Sequence, residues 1–487
     1  MEPSIPIDTP KLQRRSKTSG NKSLPADIGL RKAVNWREPK ELCLEPGYAQ
    51  FVEFAERDLI PLLPIGGNKR WKKRELLCGM LHQLMHTGIR GMLIRDTRDS
   101  SKPGVEFRVN LWDLLDAEGW CHKYRGSRAD RIWTRYESTS KLHQYFPRCE
   151  ELWLSAPLER NSRSPDHPIA HAVVCGHSGK RDLQTGIKLP QSEWKVPLPF
   201  PMNGDSEYDY LCLLEDSIIS INQHNEMHDW KVQLSPGVWV SPEVSLHQVH
   251  VGNWNRCPRL YTSGVLSAQS LKKPIRRTMT IDGEETIELD FSSMVPRMAY
   301  HSVGIDACGD VYRCHEVFPL LRSFAPDDEA FFSFVRSVLK KAMNTMFNVL
   351  GRKEAKRAVA FNCRRYLSHD RYRYFFSDVE SLSFPELVDR IAKVHPEICH
   401  LFRYTTGIEM MTSEALIMLL SLMDITSTGR PALGIHDSIV CKISDADFVE
   451  SVMIKNYAWR FSGFKPEIKR TKAPVTSCSR YACSDAV

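Results

Sequence analysis

Two carboxylates, Asp290 and Asp437, stand far apart in the chain but in similar settings. The first lies in Ile287-Glu288-Leu289-Asp290-Phe291-Ser292-Ser293, the second in Gly434-Ile435-His436-Asp437-Ser438-Ile439-Val440. In each case apolar neighbours would fix the backbone at a strand edge or turn. Two such acids, brought together, can hold a pair of Mg²⁺ ions that stabilise the attacking and leaving oxygens of a phosphoryl transfer. The main-chain carbonyl of Phe291 offers one more oxygen ligand. Between the two acids, Arg336 and Lys340 are four residues apart, so on a helix they share a face and reach the same phosphates. Arg336 suits bidentate phosphate contact, Lys340 can protonate a leaving pyrophosphate, and His436 can bind a phosphate of the growing end.

Each residue also has a plainer reading. Asp290 precedes a helix and fits an N-cap, Asp437 fits a hairpin turn, and Arg336 with Lys340 fits the wet side of an amphipathic helix. The pair Arg352 and Lys356 repeats the same spacing further on. Four residues in this order make the shared chemical reading the stronger one.

The elements that must position these groups are legible in the C-terminal half. Residues 277–290 read as a hairpin around Asp282-Gly283, a dipeptide suited to positive φ. Met294 to Ser302 reads as a helix. Glu329 to Val349 reads as a long helix with Phe332, Val335, Leu339 and Met343 on one face. Ser413 to Met423 is nearly all apolar, hence a buried helix, and 431–441 forms a second hairpin with Asp437 at its tip. Upstream, 31–150 looks mainly helical, 150–255 is mixed and Pro-rich with weak signals, and 1–30 reads as a disordered basic arm.

The chain has 487 residues, 42% hydrophobic and 26% charged, as in a soluble globular protein of two or more domains or one multi-lobed enzyme. No apolar run approaches the roughly 20 residues of a membrane span. The N-terminus lacks the basic-then-apolar pattern of a secretory signal, so a cytoplasmic protein without membrane partners is expected. Fourteen cysteines occur singly, with no Cys-x-x-Cys pair, which argues for reduced, structural thiols. His82 and His86, one turn apart, lack a third metal ligand nearby. The net charge is only +7, but basic clusters with aromatics among them (Lys69 to Arg74, Arg125 to Arg135, Arg364-Arg365, and Arg371-Tyr372-Arg373-Tyr374) suit phosphate contacts beside stacked bases.

Residues 257–445 resemble the polymerase core of family A DNA polymerases and the related single-subunit phage-type RNA polymerases. Arg259-Leu260-Tyr261 resembles the segment that grips the primer–template. Leu289-Asp290-Phe291-Ser292-Ser293 resembles the first metal-binding motif, with Arg297 where its trailing arginine stands. Asp310-Val311-Tyr312-Arg313 resembles the start of the fingers, Arg336-x3-Lys340 the nucleotide-binding helix, and Ile435-His436-Asp437-Ser438 the third motif in its RNA-polymerase form.

The resemblance implies an α+β right-hand polymerase. Its antiparallel-sheet palm with helical fingers would span 256–470, the fingers insertion covering about 312–400. A mainly helical thumb and accessory region would span 31–255, and a tail 471–487. It implies two Mg²⁺ held by Asp290, Phe291 and Asp437, and nucleotide contacts from Arg336, Lys340, Asn344, Asn348 and Val295. Nucleic-acid contacts would come from Arg259, Arg277, Arg297 and His436, and the partners would be a DNA or RNA primer–template and nucleoside triphosphates. Val295 stands where the family's DNA polymerases usually carry Glu, and Asn344 and Asn348 replace the fingers aromatics. The sugar choice is therefore open. DNA synthesis is the favoured reading, with RNA or primer synthesis, or a non-catalytic nucleic-acid-binding protein of degenerate polymerase fold, as the alternatives.

Overall fold

The computed structural model describes residues 33–35, 48–63, 70–88, 93–95, 105–124, 134–145, 173–182 and 187–472, the last with short breaks at 206, 257, 263–265, 308 and 369. The basic arm 1–30, the residues Arg125 to Arg131 and the tail beyond 472 lie outside the described residues.

Among the described residues before 150 helices predominate, as the sequence suggests, with a small sheet that it does not mark. Helices Tyr48–Phe54, Arg70–Gly88 and Val105–Ala117 accompany a four-stranded sheet. That sheet is made from β1 (Ala33–Asn35), β2 (Leu93–Arg95), β3 (Cys121–Tyr124) and β4 (Arg135–Ser138), in the order β1-β2-β4-β3. Strands of three or four residues are too short for an alternating pattern to rise above noise. His82 is buried in this region with its ring edge-on to Tyr48 and Phe51, the packing of a core histidine.

A three-stranded sheet follows, β5 (Val174–His177), β8 (Leu246–Val251) and β9 (Arg259–Thr262), in that order. The central sheet has seven strands. Six run in the order β12 (Ala432–Ile435), β13 (Ser438–Lys442), β11 (Glu284–Phe291), β10 (Thr280–Ile281), β6 (Trp230–Ser235) and β7 (Val238–Val240). The seventh, β14 (Ile468–Lys472), pairs with the other edge of β11.

β11 is therefore an interior strand, flanked antiparallel by β13 and β14. Its period of two puts Ile287, Leu289 and Phe291 on one face and Glu288 and Asp290 on the other. The apolar face is buried, and Phe291 packs beside Tyr457 of the helix Ala446–Arg460. The two-residue turn from β10 to β11 uses Asp282 and Gly283 at φ 52° and 79°, the backbone that Asp-Gly favours.

Between β11 and β12 the described residues form helices joined by loops, with no strand. Met294–Ser302 forms as its sequence suggests, and a second hydrophobic core gathers around Glu329–Met346, Arg352–Cys363 and Phe384–Val394. The first of these, called the arginine helix below, starts on an N-cap in which the Asp328 carboxylate accepts from the Phe331 amide at 2.7 Å. It ends at Met346, three residues before the expected Val349. Beyond its end, the Asn348 amide turns back to donate to the Asn344 carbonyl at 2.7 Å, competing with helix continuation.

Tyr404–Thr426 is longer than its apolar segment and is called the glutamate helix. It passes so close to the end of the arginine helix that a Cβ on Gly407 would sit 2.2 Å from the Phe347 carbonyl oxygen. Among the described residues no helix is long and apolar enough to cross a membrane.

One helix that the sequence leaves unmarked, Tyr208–Glu226, joins the sheets through two buried asparagines. The Asn222 amide donates to Leu246 O at 2.8 Å and accepts from Leu246 N at 2.7 Å, docking on β8. Asn225 does the same on β12, donating to Ala432 O at 2.9 Å and accepting from Ala432 N at 3.3 Å.

Candidate active site

The site is built where β11 and β13 end together. In this ladder Asp290 lies opposite Ser438, and the Phe291 amide donates to the Asp437 carbonyl at 3.1 Å. The tight β12–β13 hairpin takes its positive φ at His436, 57°, a conformation that costs a non-glycine residue of order 1 kcal/mol or more. Ser293, three residues after Asp290, also adopts positive φ, 55°.

Burial pushes the Asp290 carboxyl up to about 6, the nearby Asp437 and Glu288 charges push the same way, and Lys340 and Lys273 oppose them. Glu288, two residues back on the same face, is separately neutralised. Both of its oxygens lie 3.3 Å from Arg276 Nη2, and it accepts from Ser438 Oγ at 3.2 Å. Among the described residues Asp290 and Asp437 have no such cationic partner, and a divalent cation would relieve their mutual repulsion. Two carboxylates with the Phe291 carbonyl are hard oxygen donors of the kind Mg²⁺ takes. Among the described residues no group of three or more His, Cys, Asp or Glu side chains is arranged to hold a metal, so a cation here would draw its remaining ligands from substrate and water.

Arg336 reaches the same segment from the arginine helix. Its Nη2 donates to Ser293 Oγ at 2.9 Å, its Nε lies 3.6 Å from Asp310, and its guanidinium lies 4.7 Å from the Tyr312 ring centroid. Lys340, one turn on, is exposed and forms no ion pair within 4 Å among the described residues, although its charge is felt at Asp290. The alternative pair is committed elsewhere. Arg352 and Lys356 both hold Asp389, at 2.7 and 2.6 Å.

A third side is formed by β9 and the glutamate helix. Arg259 pairs with Glu414 at 2.8 Å, and both line a small cavity with His436 and Gly434. Burial holds the Glu414 carboxyl up to about 7, with Asp437 adding to the rise and Arg259 opposing it. Burial, then the Arg259 charge, lowers the imidazolium pKa of His436, so the ring is neutral at neutral pH. Gln269 ties the two sides together, donating to Leu260 O at 3.1 Å and Gly434 O at 3.0 Å.

Other expected contacts are placed differently. Arg297 is only 5% exposed and donates to the carbonyls of Ser292, Ala307 and Gly309 and to Glu467. Those bonds make it an internal strut, where the sequence suggests a nucleic-acid contact. Arg277 is half-buried, and its neighbour Arg276 is the one that faces the acidic strand. Val295 is partly buried and packs against both hydrophobic cores. Asn344 carries a buried side-chain oxygen with no hydrogen-bond partner among the described residues, while Asn348 is exposed beyond the helix end.

Sequence reasoning missed Glu414, Arg276, Glu288 and Gln269. A charged residue within the apolar run Ser413 to Met423 was the one available signal for Glu414. Nothing local marks the others.

No family model matches this chain, and no curated protein matches it. Among solved structures, the POL domain of Pol1 from M. smegmatis, in complex with DNA primer-template and dNTP, is similar over 54% of this chain, with 12% identity and a TM-score of 0.28. The chain spans 51% of that structure's length. A likeness so slight carries no argument about activity.

Proposed function

We propose that this chain is a template-directed nucleotidyltransferase of right-hand architecture that extends a nucleic-acid primer, most simply a DNA polymerase. The observation that supports this best is the β11–β13 register, which brings Asp290 and Asp437 to one sheet end, while Arg336 binds Ser293 beside it and the Lys340 charge is felt at Asp290. Mg²⁺ bound by Asp290, Asp437 and the Phe291 carbonyl would activate the primer hydroxyl and neutralise the triphosphate.

The chain's own residues supply the rest. Arg336 and Lys340 hold the triphosphate against the acidic pair, and Lys340 delivers a proton to the departing pyrophosphate oxygen. For Arg336 this requires leaving Asp310, 3.6 Å away, for a phosphate, a stronger anion. Neutral His436 and Arg259 contact the primer end, Arg259 keeping Glu414 on Nη2 and donating from its other nitrogens to a base edge or sugar. Val295 carries no carboxylate that could block a 2′-hydroxyl, which permits ribonucleotides without preferring them.

Primer extension with purified protein, Mg²⁺ and matched dNTP and NTP sets on DNA and RNA templates tests this. Incorporation that disappears in Asp290→Asn and Asp437→Asn, with binding retained, is the expected result. No incorporation of either nucleotide type, with binding intact, would replace this reading by a binding protein of polymerase-like fold.

A further inference from the structure

The helix Arg352–Cys363 carries an outward stripe that the proposed site does not use. Lys353, Arg357 and Phe361 follow at spacings of four, and Arg364, its C-cap, lies three further on. At 100° per residue all four fall within an arc of about 80°. The opposite side, Ala355, Val359 and Cys363, is buried in the second core.

All four stripe residues are exposed, and Phe361 is 76% exposed, the joint highest value among the large hydrophobics. The three cations have no carboxylate within 4 Å among the described residues. The nearby acids are already taken: Glu354 accepts from Arg181 at 2.6 Å, and Asp389 is held by Arg352 and Lys356. Arg364 also lines a groove shared with Arg373, which is exposed and likewise unpaired, although Asp378 and Glu386 line it too.

An uncovered phenyl ring on the same stripe as unpaired cations is poorly explained as a solvated face. Water gains nothing from Phe361, and an apolar partner covering it would have to bury charges from the same stripe. A strand of unpaired nucleotides satisfies both, with phosphates on the cations and a base on the ring. Duplex DNA does not, because its bases are already stacked.

We propose that Lys353, Arg357, Phe361 and Arg364 form a binding surface for single-stranded nucleic acid, in which a base stacks on Phe361 between phosphates held by the three cations. It shares with the proposed function only the class of partner and needs no catalysis.

The test is fluorescence anisotropy of a labelled pyrimidine oligonucleotide on the full chain, without Mg²⁺ or nucleotide, over a salt series. Phe361→Ala should weaken single-strand binding roughly 5- to 100-fold, and Phe361→Trp should restore it. The variant K353Q/R357Q/R364Q should reduce the slope of log K against log salt by about 2. Circular dichroism confirms that these surface variants fold. Unchanged single-strand affinity in both variants overturns the proposal. So does equal binding of an acidic peptide that is insensitive to Phe361→Ala, which would mark a protein-docking face. The Asp290→Asn protein should bind the oligonucleotide as the wild type does, so a failure of the catalytic reading leaves this result standing.

Discussion

Arg259 and Glu414 form an ion pair at 2.8 Å in which the acid is only 4% exposed and the arginine side chain about a third exposed. The pair is unequal, since the buried carboxyl pays the larger desolvation cost. Folded, Glu414 keeps its proton up to about 7 against an ordinary 4.5, so between these values the folded state binds more protons than the unfolded state. Its contribution to stability is therefore fully present below about 4.5 and lost as pH rises through about 7. Thermal melts from pH 5 to 8 should show this fall, and Glu414→Gln should flatten it. Arg259→Ala should destabilise by on the order of 3 kcal/mol at pH 8 and much less at pH 5. A pH-independent effect would mean that the pair acts through packing alone.

Asp290→Asn removes one member of a repelling carboxylate pair. The variant should be at least as stable as the wild type by urea titration, while nucleotide incorporation falls by about three decades or more. Mg²⁺ should raise the melting temperature of the wild type and not that of the variant. A variant that keeps near wild-type synthesis would remove Asp290 from the metal assignment.

Lys340 and Lys356 separate two roles that share one spacing. Lys340→Ala, at an exposed and unpaired position, should leave stability within about 0.5 kcal/mol and lower the incorporation rate by one to two decades. Lys356→Ala loses a surface ion pair to Asp389, worth about 0–1 kcal/mol, and should leave the rate nearly unchanged. The reverse ranking of rates would shift the phosphate-binding pair one helix along.

At Val295, ribonucleotides should be incorporated within about two decades of the matched deoxynucleotides, less than roughly 3 kcal/mol of discrimination. Val295→Glu should raise deoxynucleotide selectivity. Because Val295 touches both cores, the new charge should also cost about 1–3 kcal/mol of stability. Discrimination by the wild type above about ten-thousand-fold would point to another residue as the sugar gate.

The central hairpins were readable because their signals are local. Asp282-Gly283 announces its turn, and the alternation from Ile287 to Phe291 assigns the acids to one face. The helix Met294–Ser302 and the start of the arginine helix were equally plain. The partners of the acids were not readable, because Arg276 with Glu288 and Arg259 with Glu414 are set by tertiary approach that leaves no period in the sequence. Arg297 shows the same limit, since a motif position says which residue is present and not whether carbonyls surround it. The helix Tyr208–Glu226 was missed because its buried polar residues, Asn222 and Asn225, blur the apolar stripe by which a helix is recognised.

Those asparagines have a consequence for how the molecule can be cut and made. β12 is an edge strand, and its outer backbone groups at Ala432 are closed by Asn225, which lies 207 residues earlier in the chain. A recombinant fragment beginning near 256 would carry both acids and the arginine helix, yet leave that edge bare and prone to pairing with another copy. Such a fragment should aggregate when expressed alone and be rescued by co-expressing residues 1–255. During synthesis the same stitch must wait until Ala432 has emerged, 207 residues after Asn225. Asn225→Ala should remove that stitch and lower stability by about 2–4 kcal/mol, through two backbone groups left without partners.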